Sequence, residues 1–280
     1  MPDRRRTRER QLAKLAERRA AERRKKRRQR MTVTGVAIAA AAGGLTFAII
    51  ALTGGGSPKP LASPTPTPTA TNAAATVACG SAVPPANAVK KPSFSKPPKT
   101  TIDTKKKYLL TMETSCGTIK IELDPKTAPN TVNSLVFLAK KHFFDGTIFH
   151  RTVQDFVIQG GDPNTAGGNN PSTFGTGGPG YKTVDAPPKG ATYPPGTVAM
   201  AKGGSEPNGT AGSQFFIVTS QNADQSLAPG GKGQYAIVGK VISGLDVADR
   251  IEKLPREQGA ADGRPAQDVY IVKVTVNLEG

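Results

Sequence analysis

Proline recurs at every second residue through 63–69 (SPTPTPT), and the whole stretch 54–106 is dominated by Gly, Pro, Ser, Thr, Ala and Lys. Proline has no amide proton to give a helix or a sheet ladder, and at this density it favours extended polyproline backbone. The segment is therefore read as a disordered spacer with no core of its own, which leaves 107–280 as the stretch able to fold as a globular unit. Two shorter pieces precede the spacer: a basic tail at 1–30 and an uncharged run at 31–53.

Residues 33–52 (VTGVAIAAAAGGLTFAIIAL) are 20 mostly apolar residues. As a helix rising ~1.5 Å per residue they match a hydrocarbon layer ~30 Å thick. With Lys and Arg held on the cytoplasmic side, the pattern predicts a single-pass signal anchor, the N-terminus in the cytoplasm and the folded domain beyond the cell membrane. A cleaved signal peptide is the rival, but its apolar region is usually shorter, and no small-x-small site follows Leu52. The small residues before Cys79 (TVAC) look like those preceding a lipidated cysteine, yet they stand far beyond the apolar run.

Charge separates the parts further. Residues 1–30 hold 15 Lys and Arg against 4 Asp and Glu, whereas 108–280 hold 15 against 16. The basicity that would suggest phosphate binding thus lies outside the domain. The chain has no Trp and only 5 Tyr, and no basic run with interleaved aromatics occurs in 108–280. Nucleic acid is not an expected partner; the tail is read either as a solvated basic helix or as a contact for anionic lipid heads.

Apolar and polar residues alternate at 108–113 and 119–123 around Ser115-Cys116-Gly117, the signature of a β-hairpin. Residues 128–141 place Val132, Leu135, Val136 and Ala139 at helical spacing. Strands are expected at 153–158, 197–200, 214–218, 235–242 and 269–278. A second helix is expected where Ser243-Gly244-Leu245-Asp246 offers an N-cap at Ser243 with an acidic residue three positions on, stopping at Pro255. Many strands and two helices point to an antiparallel barrel rather than to βαβ units. The two cysteines, Cys79 and Cys116, are either a disulfide that pins the spacer to the first hairpin or two free thiols.

Five blocks then become recognisable in order: Phe149-His150-Arg151 with Phe156-Val157-Ile158-Gln159-Gly160-Gly161-Asp162; GTGGPGY at 175–181; VAMA at 198–201; GSQFFI at 212–217; and QYAIVGKV at 234–241. Together they resemble the cyclophilins over about 107–278. The resemblance implies an all-β fold, an eight-stranded antiparallel barrel closed by two helices, and peptidyl-prolyl cis-trans isomerase activity on proline-containing polypeptides. It implies no metal and no cofactor, and a monomeric domain.

By the same resemblance Arg151, Phe156 and Gln159 are the catalytic candidates, with Arg151 donating hydrogen bonds at the twisting prolyl amide. Val157, Phe216 and Leu227 would form an apolar proline pocket with Phe156. Ala201 and Lys202 would offer backbone groups, and Gln214 would support Arg151 or the substrate. Tyr235 stands where many members have His, Val157 where Met is frequent, and Lys202 where Asn is frequent. The glycine-rich loop after Gly161 could cradle a phosphate only weakly, because no helix with Lys-Ser/Thr follows it. His142 and His150 are too isolated to form a metal site and read as a helix-end surface residue and a groove wall. A proline-peptide binding module with little turnover is the alternative to an enzyme.

Overall fold

In the computed structural model, residues 77–80, 89–166, 170–228 and 233–279 are described. The basic tail, the apolar run and most of the spacer lie outside them. The membrane localisation expected from the sequence is corrected: among the described residues no helix is long and apolar enough to cross a membrane. The stretch at 33–52 on which that expectation rested is not among them.

The hairpin forms as the alternation predicts. Strands β1 (Lys107–Thr114) and β2 (Gly117–Leu123) pair in register from Tyr108–Leu123 to Thr114–Gly117. Their inward residues Leu110, Met112, Ile119 and Ile121 are buried, as a period of two requires. Helix α1 (Pro129–Lys140) follows, opening with proline at a position where a missing amide proton costs nothing. Its N-cap, Ala128, has no hydrogen-bonding side chain to offer, so a carboxylate arrives from elsewhere: Asp185 accepts from Thr131 N at 2.7 Å and from Thr131 Oγ1 at 2.6 Å.

Beyond α1 come β3 (Thr147–Ile148), β4 (Arg151–Val153), β5 (Val157–Gly160), β6 (Thr183–Val184), β7 (Thr197–Met200), β8 (Thr210–Ala211) and β9 (Phe215–Val218). Helix α2 (Asp224–Leu227), β10 (Ile237–Ser243), α3 (Leu245–Glu252), β11 (Asp262–Gly263) and β12 (Tyr270–Glu279) complete the helices and strands of the described residues. Ten strands form one curled antiparallel sheet in the order β11-β4-β5-β9-β7-β10-β2-β1-β12-β3, and β6 pairs with β8 apart from it. The expected eight-stranded barrel with two helices is thus corrected to a curled half-barrel with three α-helices among the described residues. The extra strands have two residues each and α2 a single turn, too short for either period to register. The expected strand at 153–158 also proves to straddle a turn, where Asp155 adopts φ 52 between β4 and β5.

Alternation along β5, β7 and β9 divides the apolar residues between two faces. Ile158, Val198, Met200, Phe215 and Ile217 point into the main core, which α1 and α3 cover with Leu135, Leu138, Val247 and Ile251. Val157, Ala199, Phe216 and Val218 point the other way and join Tyr193, Ala223, Leu227 and Ala228 in a second cluster. Helix α3 is capped by Gly244 rather than by Ser243. There φ is +85°, and a β-carbon would collide with the Thr118 carbonyl.

The end of the expected spacer is not free of the domain. The Phe94 ring meets Phe137 of α1 edge-on with centroids 5.0 Å apart, and Thr101 N donates to Asn133 Oδ1 at 2.9 Å. Residues 89–106 have no core of their own, but they borrow one from α1. Cys79 and Cys116 form a disulfide with Cα atoms 5.1 Å apart, fastening 77–80 to the β1–β2 turn.

Candidate active site

The second apolar cluster and one row of polar side chains make a continuous surface across β4, β5 and β9. Arg151 pairs with Gln159 in the β4–β5 register, and Gln159 pairs with Phe216 in the β5–β9 register. All three therefore stand on one face of the sheet. Gln214, two residues before Phe216, continues that face.

The polar row is hydrogen-bonded from end to end. Arg151 Nη1 donates to Gln159 Oε1 at 3.1 Å, and Gln159 Nε2 donates to Gln214 Oε1 at 3.1 Å. Gln214 Nε2 in turn donates to the carbonyls of Gly175 and Gly177 at 2.9 and 2.8 Å. On its other edge the guanidinium grips Asp262, with Nε–Oδ1 at 2.7 Å and Nη2–Oδ2 at 2.8 Å. Hydrogen bonding to Arg151 holds the Asp262 carboxyl below its usual range, so it is a carboxylate at neutral pH.

The apolar part gathers Phe156, Val157, Phe216, Leu227, Tyr235 and Ala201 around Tyr193 and Ala199. The Tyr235 ring stands perpendicular to Phe216 with centroids 5.2 Å apart. Its backbone is locked by Tyr193, whose hydroxyl donates to the Tyr235 carbonyl at 2.9 Å and accepts the Tyr235 amide at 3.0 Å. Asp224 at the start of α2 accepts from Tyr193 N at 2.7 Å, so the short helix steadies this wall. Lys202 lies at the rim, Nζ 5.8 Å from the Tyr235 ring centre and 3.1 Å from the Glu206 carbonyl. Beside it a cavity of about 430 Å³ opens between Gln159, Gln214, Ala201, Lys202 and Lys182.

Every site residue expected from the sequence is in this neighbourhood except the two cysteines, which lie at the β1–β2 turn. His150 is buried, and burial lowers its pKa, so the ring is neutral at pH 7. His142 follows α1 on the surface, Nδ1 2.9 Å from Asp145. In the glycine loop the Gly175 and Gly177 amides, which a phosphate would need, are taken by the Asp162 carboxylate. Sequence reasoning missed Asp262, Tyr193 and Asp224. Asp262 lies 111 residues from Arg151 in the two-residue strand β11, too short for any periodic pattern to mark it.

Comparison with known proteins gives this arrangement its family. The profile of the family described as cyclophilin type peptidyl-prolyl cis-trans isomerase/CLD matches residues 109–276. The chain belongs to the cyclophilins. Among curated relatives of this cyclophilin, peptidyl-prolyl cis-trans isomerase-like 1 of Neurospora crassa is 36% identical over 60% of the chain and 93% of the relative. Peptidyl-prolyl cis-trans isomerase B of Streptomyces anulatus is 38% identical over 59% of the chain and 94% of its own length. Among solved structures, the cyclophilin type peptidyl-prolyl cis-trans isomerase of Cryptosporidium parvum is 28% identical with a TM-score of 0.51, covering 62% of this chain and 99% of that one. The enzyme is a peptidyl-prolyl cis-trans isomerase of the cyclophilin type.

Proposed function

We propose that this cyclophilin isomerises X-Pro bonds by stabilising the twisted prolyl amide with the guanidinium of Arg151. The barrier is ~18–20 kcal/mol, because resonance gives the C–N bond partial double-bond character. Lowering it requires no bond to be made or broken, only a group that interacts better with the twisted amide than with the planar one. Twisting localises a lone pair on the prolyl nitrogen, and a donor aimed there is useful only once that pair exists. An acceleration of ~10⁵ needs about 7 kcal/mol of such differential binding.

In this reading the pyrrolidine ring packs on Phe156, Val157, Phe216, Leu227 and Tyr235. Gln159, supported by Gln214, hydrogen-bonds a substrate carbonyl, and the Ala201 and Lys202 backbone lines the groove. The supporting observation is the tethering of Arg151: its side chain is bonded on two edges, to Asp262 and Gln159, on the face that also carries Phe216. A planar guanidinium held in this way is preorganised, which a flexible ammonium would not be. The test is a protease-coupled assay on an X-Pro peptide. The proposal expects a rate well above the uncatalysed one for the wild type and a loss of most of it in Arg151→Ala. Equal rates would overturn it.

A further inference from the structure

We infer that Asp262 is a positioning residue for the isomerisation, acting through Arg151; the inference rests on the role proposed for Arg151 above. A guanidinium carries five N–H groups in a rigid plane. Nε and Nη2 each give one to the Asp262 carboxylate, and Nη1 gives one to Gln159. One proton on each terminal nitrogen remains for a substrate. The two-point contact fixes the plane of the fork, and Gln159 fixes its remaining edge, so the direction of the two free protons is set before a peptide arrives.

Stability alone does not explain the pair. The side chains are 40% and 52% exposed, and ion pairs in that setting contribute little to folding. The local chain path instead serves their placement. Strand β11 has two residues, and its register with β4 sets Asp262 opposite Val153 and Gly263 opposite Thr152. Asp262 thereby shares a sheet face with Arg151. Arg256 secures the same edge from below, donating through Nε to the Thr152 carbonyl at 3.1 Å and hydroxyl at 2.9 Å.

The experiment compares kcat, KM and the urea midpoint for wild type, Asp262→Ala, Asp262→Asn, Arg151→Lys and the double variant Asp262→Ala/Arg151→Lys. Asp262→Ala should lower kcat on the order of tenfold, since a misdirected donor loses transition-state contact without losing substrate binding. KM and the urea midpoint should barely move. Asp262→Asn, which keeps one acceptor oxygen, should fall between. In the Arg151→Lys background the Asp262→Ala change should have no further effect. A wild-type kcat in Asp262→Ala, or the same fold loss with and without Arg151, would overturn the inference. If Arg151→Lys is too slow to measure, hydrogen exchange at Arg151 Nε decides: acceleration in Asp262→Ala supports the clamp, and unchanged exchange refutes it. Wild-type rates in Arg151→Lys would instead sink the role of Arg151 itself, a result distinct from a silent Asp262→Ala.

Discussion

Replacing Arg256 with Met should destabilise the domain far more than any change at the exposed charges. Arg256 Nη2 lies 3.0 Å from Glu252 Oε1, with the two side chains only 9% and 7% exposed. The same guanidinium donates to the Glu252 carbonyl at 2.6 Å and to the carbonyl and hydroxyl of Thr152. Glu252 also accepts the amide of Asp155, in the left-handed turn between β4 and β5. The network therefore ties the end of α3 to the hairpin that carries Arg151 and Gln159. Removing the cation strands a buried carboxylate, a loss of about 3–5 kcal/mol. At roughly 2–4 °C per kcal/mol for a domain of this size, Tm should fall by roughly 6–20 °C. The double variant Arg256→Met/Glu252→Leu should recover most of this, because no charge is then left buried without a partner. Urea unfolding followed by circular dichroism, with calorimetry for Tm, reads both. A loss below about 1 kcal/mol in Arg256→Met, or a double variant as unstable as the single, would refute the reasoning.

The remaining predictions concern other supports of the site and the scaffold. Tyr193→Phe removes a fully buried hydroxyl that both donates to and accepts from the Tyr235 backbone, and should cost about 2 kcal/mol in urea denaturation; it should also raise KM as the Tyr235 wall loosens. Replacing both Cys79 and Cys116 with Ser opens a cross-link between residues 37 apart in sequence, and the urea-derived stability should fall by up to ~4 kcal/mol; dithiothreitol should reproduce the loss in the wild type but change nothing in the variant. Burial, then the neighbouring Asp268 carboxylate, pushes the Tyr270 phenol up to about 12, partly offset by Arg264. Since the unfolded phenol ionises near ~10, Tyr270 contributes stability that is complete below that pH and is lost as pH rises through the folded value; a Tyr270→Phe difference titration by ultraviolet absorbance should show its inflection near the higher value.

Residues whose environment is set locally were legible in the sequence. The β1–β2 hairpin, α1, β7, β9 and β12 stand where alternation or helical spacing puts them, because each buries one face over several residues. The site residues themselves were legible only through the family blocks, since Arg151, Gln159 and Gln214 show no periodic signal and meet by strand pairing. What escaped is governed by tertiary approach. Asp262 reaches Arg151 through a two-residue edge strand, Tyr193 lies in a Pro-rich loop, and Asp185 caps α1 from more than fifty residues away. Residues 89–106 have a spacer's composition, yet Phe94 finds an aromatic partner on α1 that composition cannot foresee. The ends of the main sheet rely on pairs too short to show a pattern, so the count of strands could not be read ahead.

The central claim is that Arg151 binds the twisted amide in preference to the planar one, and steady-state kinetics of Arg151→Lys test it most directly. The account predicts that kcat falls by at least roughly tenfold while KM stays within about twofold of wild type, since only a transition-state contact is lost. A rise in KM with kcat unchanged would mean that Arg151 merely holds the ground-state peptide, and would contradict the account.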